Sequence, residues 1–387
     1  MVSALRTWIF AVTPITPLSI LHTESSIGWG GQEIRILTEA RGLLDRGHRV
    51  MLLTPGNAEM LPAAREMGVP ATALSIGKKR LPSLLAMRAW LASNMRGVDV
   101  INTHSSTDSW LAAASCATLS NPPPIVRTRH VSTAINNHWS TRWLYTKATQ
   151  HIVSTGEALR QQLHRDNGYA LDRMTSVRTG IDLQRFKPLD KRQARAQLAV
   201  SDSPAIGILA TLRDWKGHNY LFDAMKLLAH EFPEWKLIVI GDGPQRQRLE
   251  ARVRDEMLGN TVRFVGNVDN VPEWLSTLDL FALPSYGDEG VPQGIMQAMA
   301  CGLPVISTPV GAIGEAVQDG VTGFMVETRS AVALAHALGL LMRDTTLRNK
   351  MGEASLMYAQ QQFGIDVMID KMLVVFAQQA KQQRGKN

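Results

Sequence analysis

The sequence predicts an α/β protein built from two doubly wound, Rossmann-like domains. Three observations carry that prediction. Short apolar runs alternate with longer helical stretches along nearly the whole chain. The pattern pauses at a Gly-bearing turn, Arg178–Asp182, crosses a polar stretch over 183–203, and restarts at Ala205. A chain of 387 residues also exceeds what one domain of ordinary size usually holds.

In the first half the apolar runs begin at Leu18 (LSILHTES), His48 (HRVMLLT), Ala71 (ATALSI), Val98 (VDVINTH), Pro124 (PIVRTRH) and His151 (HIVST). They lack clean alternation, which suits strands covered on both faces, as in a parallel sheet. Helical stretches between them imply right-handed crossovers. The second half repeats this from Ala205 (AIGILATL), Trp235 (WKLIVIGDG), Val262 (VRFVGN), Leu278 (LDLFALPS), Leu303 (LPVIST) and Gly323 (GFMVE). The expected division is 1–182, 183–365, and a closing amphipathic helix with a basic tail over 366–387. In such sheets a ligand lies beyond the carboxyl ends of the strands.

Apolar residues make up 45% of the chain, enough for sizeable cores and too much for disorder. Cys116 and Cys301 lie far apart in apolar settings, which suits a reducing compartment and speaks against a disulfide framework. No Cys-x-x-Cys or His-Glu-x-x-His spacing occurs, so no metal is expected. No apolar run reaches the roughly 20 residues of a membrane span. The WIFAV run near the start is interrupted by Pro14 and Pro17, so residues 1–17 read as an N-terminal extension rather than a signal peptide. Net charge is +7, unevenly placed: residues 1–200 hold 24 Lys and Arg against 13 Asp and Glu, or +11, and the rest carry −4. The basic half suits an anionic partner such as a membrane surface, a phosphorylated glycolipid or nucleic acid.

The chemistry centres on YGDEGVPQGIMQAMACGLPVIST, Tyr286–Thr308. An acidic Gly-bearing turn leads from one strand-like run into a short helix, with Pro292 expected in the helix's first turn. The free amides of that helix start form an anion site. Glu289 suits hydroxyls instead. An anion at the amides and a polyol at the carboxylate together describe a nucleotide sugar.

This stretch resembles the donor motif of the retaining GT-B glycosyltransferases, glycosyltransferase family 4, in which two Glu stand eight residues apart. Glu289 fits the first position; the second is Gln297, which still accepts hydrogen bonds. The resemblance implies two Rossmann-like domains facing across a cleft, with the acceptor on the N-terminal side and the donor on the C-terminal side. In ATLRDWKGH, Ala210–His218, Lys216 matches the cation that holds the donor diphosphate. The usual Arg position is Thr211, and Arg213 stands two residues on. His104, just past a strand end in NTHSS, matches a His that touches the donor sugar. Gly30 and Gly31 match a glycine loop over donor phosphate and acceptor. Gly241 and Gly243 match a four-residue turn at the donor site, and Gly266 to Val268 a backbone segment that reads the nucleobase. Gly290 and Val291 belong to the donor motif itself, and Glu315 is either functional or structural.

The resemblance further implies attack on the face the nucleotide leaves, with no metal or other cofactor and no nucleic acid. The expected partners are a nucleotide-sugar donor and a glycan or glycolipid acceptor of the cell envelope, such as lipopolysaccharide core. The expected location is cytoplasmic, peripheral on the inner membrane face. A non-transferring GT-B enzyme, an epimerase or phosphorylase, is the alternative, and a nucleic-acid-binding protein a distant one that lacks any motif.

One further signal is Lys78-Lys79-Arg80 followed by a helical stretch containing Leu84, Leu85, Met87, Trp90 and Leu91. It reads either as a helix lying in a membrane interface, with Trp90 and Leu91 wedged in, or as an amphipathic helix packed on the sheet.

Overall fold

A computed structural model describes residues 16–131, 133–287 and 289–385. The expected N-terminal extension lies almost entirely outside the described residues. Thirteen strands occur among those that are described. They are β1 (Ser19–Thr23), β2 (Arg49–Thr54), β3 (Ala71–Ala73), β4 (Val100–Thr103), β5 (Ile125–Arg129), β6 (His151–Ser154) and β7 (Met174–Ser176), then β8 (Ala205–Leu209), β9 (Lys236–Ile240), β10 (Val262–Gly266), β11 (Leu280–Leu283), β12 (Val305–Ser307) and β13 (Gly323–Met325). Twelve of these fall in the apolar runs read from the sequence. β7 was not foreseen: its residues are Met-Thr-Ser, too short and too polar to read as an apolar run.

The first sheet runs β3-β2-β1-β4-β5-β6-β7 and the second β10-β9-β8-β11-β12-β13. The ladders are parallel. Both sheets therefore wind outward from a first strand in one direction and resume on its other side. The order reverses between β1 and β4 in one and between β8 and β11 in the other, leaving a crevice at the carboxyl ends of those strands. Burial explains the continuous apolar runs: every residue of β1, β4, β5, β6 and β11 is buried.

The described residues of 1–127, 144–151 and 373–387 make one compact unit, and those of 128–143 and 152–372 the other. Local signals set the helix ends. Asp190, Ser330 and Asp344 cap the helices Lys191–Gln197, Ala331–Arg343 and Thr345–Gln362 by accepting from first-turn amides. Gly168, with φ +67, closes Glu157–Asn167 in the left-handed conformation. The last helix is Ile365–Arg384; within the first unit Arg384 Nη2 lies 2.5 Å from Asp99 Oδ1 and Gln383 donates to Asn121.

The basic segment Lys78–Arg80 leads into the helix Leu81–Asn94. Leu91 and Met87 are fully buried in it, and Trp90 is half-buried. The wedge expected of Trp90 and Leu91 is thus corrected for Leu91, which is core. Leu81 and Leu85, 65% and 56% exposed, are the apolar residues this helix turns outward. Cys116 and Cys301 are both free and buried, and burial pushes each thiol up to about 12.

Candidate active site

Lys216 and Glu289 meet where the order of the second sheet reverses. Lys216 ends the turn after β8, and Glu289 lies in the turn after β11. Lys216 Nζ is 2.6 Å from Glu289 Oε1, with the two side chains only 16% and 11% exposed. Ser285 Oγ donates to the same oxygen at 3.1 Å.

Backbone contacts between the two turns set this distance. Tyr286 N donates to Trp215 O at 2.8 Å, and the Tyr286 hydroxyl donates to Asp214 Oδ2 at 2.8 Å. Gly217 has φ +81, and a Cβ there would stand 2.0 Å from the Pro284 carbonyl oxygen, so only glycine lets the turns close. Glu289 is fixed from its other side: Ala312 N donates to its carbonyl at 2.8 Å. A Cβ on Gly311, at φ +54, would lie 2.0 Å from that same carbonyl oxygen.

The helix Gln293–Ala300 begins just beyond Glu289, with Pro292 directly before it at φ −66. Pro292 is therefore the cap residue rather than part of the first turn. A Cβ on Gly294 would meet the Leu209 carbonyl oxygen at 2.5 Å, so the helix start is pressed against the end of β8. Gln297 is half-buried one turn in; Gly290 is exposed and Val291 half-buried.

Arg213 is exposed, its guanidinium stacked over the Trp215 ring at 5.1 Å. A cavity of about 900 Å³ in this unit is lined by Arg213, Trp215, Glu289, Gly290 and Gly311, and by His130 and Arg165. That is the size of a site for a nucleotide-sized ligand. Gly241 and Gly243 lie against the same turn: side chains there would strike Ala210 O at 2.2 Å and Leu212 N at 2.7 Å. Packing of one loop on the next accounts for both glycines. Gly266 ends β10 and Val268 follows it, two strands out from β8, with Gly266 O accepting from Gly241 N. Glu315 accepts from Ala158 N at 2.7 Å and faces Arg178 Nε at 3.2 Å, holding the start of the helix Glu157–Asn167. Its visible role is structural.

The first unit gathers a second polar cluster where its own sheet reverses. His104 follows β4 and is 4% exposed; its Nε2 lies 3.0 Å from Nδ1 of the fully buried His22 on β1. His104 N donates to Asp108 Oδ2 at 3.0 Å, and Thr23 Oγ1 donates to the same oxygen at 2.8 Å. Glu24 accepts from Ser26 N at 2.7 Å and from Ser105 Oγ and Gln32 Nε2. Gly30 and Gly31 open the helix that carries Gln32, beside exposed Ile27, Trp29 and Ile34. A side chain at Gly30 would meet nothing nearer than Glu33 Oε2 at 3.5 Å, so packing alone does not require glycine there.

Glu24, Asp108, His22, Gln32 and Ser105 were not foreseen as site residues. The one available signal was position: Glu24 follows β1 directly, and Asp108 falls four residues past His104 at the first turn of a helix. Burial raises the Glu24 carboxyl, and it lifts Asp108, with help from Glu24, to about 7. His22 is lowered to about 3 by burial. Among the described residues no three His, Cys, Asp or Glu side chains converge as a metal site would need.

Two Rossmann-like units, each with a buried charged cluster where the strand order reverses and one with a cation and carboxylate beside helix amides, define a glycosyltransferase of GT-B fold. The comparisons agree. The family described as Glycosyl transferases group 1 matches residues 190–356, and Glycosyltransferase Family 4 matches residues 29–185. The chain belongs to this family of group 1, family 4 glycosyltransferases. It is 28% identical to a D-inositol 3-phosphate glycosyltransferase of Xylanimonas cellulosilytica, over 92% of this chain and 93% of that one. It is 34% identical to the lipopolysaccharide core biosynthesis mannosyltransferase LpsB of Rhizobium meliloti, over 44% of this chain and 51% of that one. Among solved structures, a glycosyltransferase from Rickettsia africae superposes with a TM-score of 0.86 at 20% identity, covering 94% of this chain and 99% of that one. Anabaena HepE in complex with UDP gives 0.80 at 20% identity, covering 94% and 100%. At such identities the structures speak to the fold alone.

The Asp108 carboxyl makes a pH prediction. Its value rises from 3.8 unfolded to about 7 folded, so the folded state holds this proton more tightly. The stability it contributes is fully present below its unfolded value and is lost as pH climbs through about 7. Asp108→Asn removes that loss, so its melting temperature should gain on the wild type steadily between about pH 5 and about pH 8. The opposing slope from His22 is common to both proteins and cancels in the difference. A melting-temperature gap that stays flat with pH would contradict the buried-acid assignment.

Proposed function

We propose that this glycosyltransferase moves a sugar, with retention, from a nucleotide-diphosphate sugar to a phosphate-bearing glycan or glycolipid of the cell envelope. The observation that carries the proposal is the Lys216–Glu289 pair at the β8/β11 crevice, beside the start of the helix Gln293–Ala300. Without ligand, Glu289 neutralises Lys216. When the diphosphate arrives, the ammonium turns to it and Glu289 is released to accept from sugar hydroxyls. Arg213, the helix amides and Lys216 hold the diphosphate, Gln297 accepts from the ribose, and the backbone of Gly290 and Val291 lies along the donor. Gly266 and Val268 flank the base, and Gly241 and Gly243 shape the floor. As the bond from the anomeric carbon to the phosphate oxygen breaks, the acceptor oxygen bonds that carbon on the same face, and the acceptor's proton passes to the departing phosphate. Fixed cations count most as that charge grows.

Lys216→Ala should lower kcat by roughly 3 kcal/mol in barrier, about a hundredfold. It also strands Glu289, so Lys216→Ala with Glu289→Gln should recover stability but not turnover. Wild-type turnover in Lys216→Ala would sink the diphosphate role. Arg213→Ala should slow transfer too while leaving the fold intact, since Arg213 is exposed.

Support for an anionic acceptor comes from Arg127. It is 3% exposed on β5, lies over the Tyr145 ring at 4.7 Å, and its Nε and Nη1 meet no partner. Lys79 Nζ sits by Ser106 Oγ at 2.9 Å, its own pKa pulled down by desolvation and by the charge of Arg127. An acceptor phosphate relieves both cations. Lys79→Gln should raise KM for a phosphorylated acceptor about tenfold with KM for the donor unchanged. An unchanged acceptor KM would count against it.

The exposed Leu81 and Leu85, beside Lys78, Arg80 and Arg88, suit an anionic lipid surface. No helix of the described residues is long and apolar enough to cross a membrane. The protein should sediment with anionic vesicles at low salt and release as salt screens the charge. Leu81→Gln with Leu85→Gln should weaken this without lowering stability. Equal sedimentation with neutral vesicles would leave this helix as a plain cover for the sheet.

A further inference from the structure

Resting on the glycosyl-transfer reading, we propose that His22 is a positioning residue: it donates from Nδ1–H to His104 Nε2 and so fixes His104 as the tautomer protonated on Nδ1. His104 is then a hydrogen-bond donor at the site and cannot serve as a general base.

The geometry starts from the sheet. β1 and β4 are adjacent and parallel, with His22 beside Asn102 and Thr23 beside Thr103. His104 is the next residue of that chain, so the reversal of strand order brings the two imidazoles together. Their nearest nitrogens are 3.0 Å apart, and the rings are 13° from parallel with centroids 5.3 Å apart. A centroid separation that large, at that nitrogen distance, means the rings meet end to end. The shared proton therefore lies near both ring planes, as a lone pair on an aromatic nitrogen requires.

One proton lies between two nitrogens, and each ring could supply it. His22 decides the matter. It is 0% exposed, its Nε2 has no hydrogen-bond partner, and the Phe376 ring stands edge-on at 6.4 Å. Were His104 the donor, a neutral His22 would have to carry its own proton on Nε2, an orphaned donor in an apolar setting. Were His22 doubly protonated, a full charge would sit there, and burial already holds its value down to about 3. With the proton on Nδ1, only a bare lone pair is left unmet, and orphaned N–H groups are the rarer case. Buried carboxyls of this region are Asp108, Glu24 and Glu39, the last of which accepts from Asn102, the sheet neighbour of His22. Asp108 takes up the backbone N–H of His104 and the Thr23 hydroxyl, while the polar groups on Glu24 are Ser26, Ser105 and Gln32. They hold the loop after β4 without claiming the proton between the rings.

The consequence fits transfer with retention. His104 Nε2 is occupied and Nδ1 carries the proton, so no lone pair remains to take the acceptor's proton, which leaves with the phosphate.

The test begins with the ligand-free full chain labelled with ¹⁵N-histidine. The His104 ring should show a protonated Nδ1 and a bare Nε2, and His22 should stay neutral across the working pH range. A protonated His104 Nε2 would overturn the proposal outright. Two variants then separate positioning from packing. His22→Asn sets an amide N–H where Nδ1 stands and should keep kcat within about threefold; His22→Phe fills the space without a donor and should lose about tenfold or more. UDP affinity should be unchanged in both. Equal losses for the two would reduce His22 to packing. If His22→Phe does not fold, the ring pattern of wild type and His22→Asn decides alone. Should no nucleotide sugar be turned over while the ring pattern is as expected, the transfer reading fails and the tautomer assignment stands.

Discussion

A mostly buried ammonium and carboxylate held 2.6 Å apart is the constraint on which the second unit depends. Neither charge would be stable there alone, since desolvation of one ion without the other costs several kcal/mol. The pair survives because the turns bearing it are locked by backbone. Trp215 O receives Tyr286 N, Gly217 lies on the Pro284 carbonyl, and Glu289 is pinned by Ala312 N. Those contacts use no side chain at the reacting centre. The turns can therefore stay in place whichever partners Lys216 and Glu289 take, which is what preorganisation demands.

The first unit applies the same sheet order to different ends. Its crevice gathers His22, His104, Asp108 and Glu24 through hydrogen bonds. His22 is kept uncharged by burial, and Asp108 sits close to its own midpoint near neutral pH. Hydrogen bonds of this kind have a fixed direction and add little long-range field. Arg127 stands on β5, one strand removed from the reversal, and Lys79 lies in the segment before the helix Leu81–Asn94. The same strand-order reversal thus carries different chemistry in the two sheets.

Much of this was legible in the sequence. Twelve strands announced themselves because strands covered on both faces must be apolar throughout, whereas β7 carries Met-Thr-Ser and left no such trace. Glu289, Lys216, Arg213 and His104 could be picked out because each follows a strand end in a recognisable motif. That Lys216 contacts Glu289 was not legible, since it depends on β8 lying next to β11, with two strands intervening in the chain. Glu24 and Asp108 escaped for the same reason. In LHTES and STDSW they look like polar residues of loop and helix start, and only the pairing of β1 with β4 encloses them. The helix Leu81–Asn94 shows the limit of periodicity: its apolar residues encircle it, and packing alone settled that Met87 and Leu91 face inward and Leu81 and Leu85 outward.

The buried polar cluster of the first unit also says where stability has been given up. Burial raises the Asp108 and Glu24 carboxyls and lowers His22, so each of the three costs more to charge here than in an unfolded chain. Well-packed apolar residues in those places would fold at least as firmly. Their retention at a strand-order reversal, rather than scattered through the core, follows the pattern in which local rules are broken where function needs it. The hydrogen bonds from Thr23, Ser26, Ser105 and Gln32 keep the cluster from being merely costly, since each carboxyl oxygen that counts is met by a donor. Among the described residues of this cluster His22 Nε2 alone is left without one, and that unmet atom is the observation behind the proposed direction of the proton between His22 and His104.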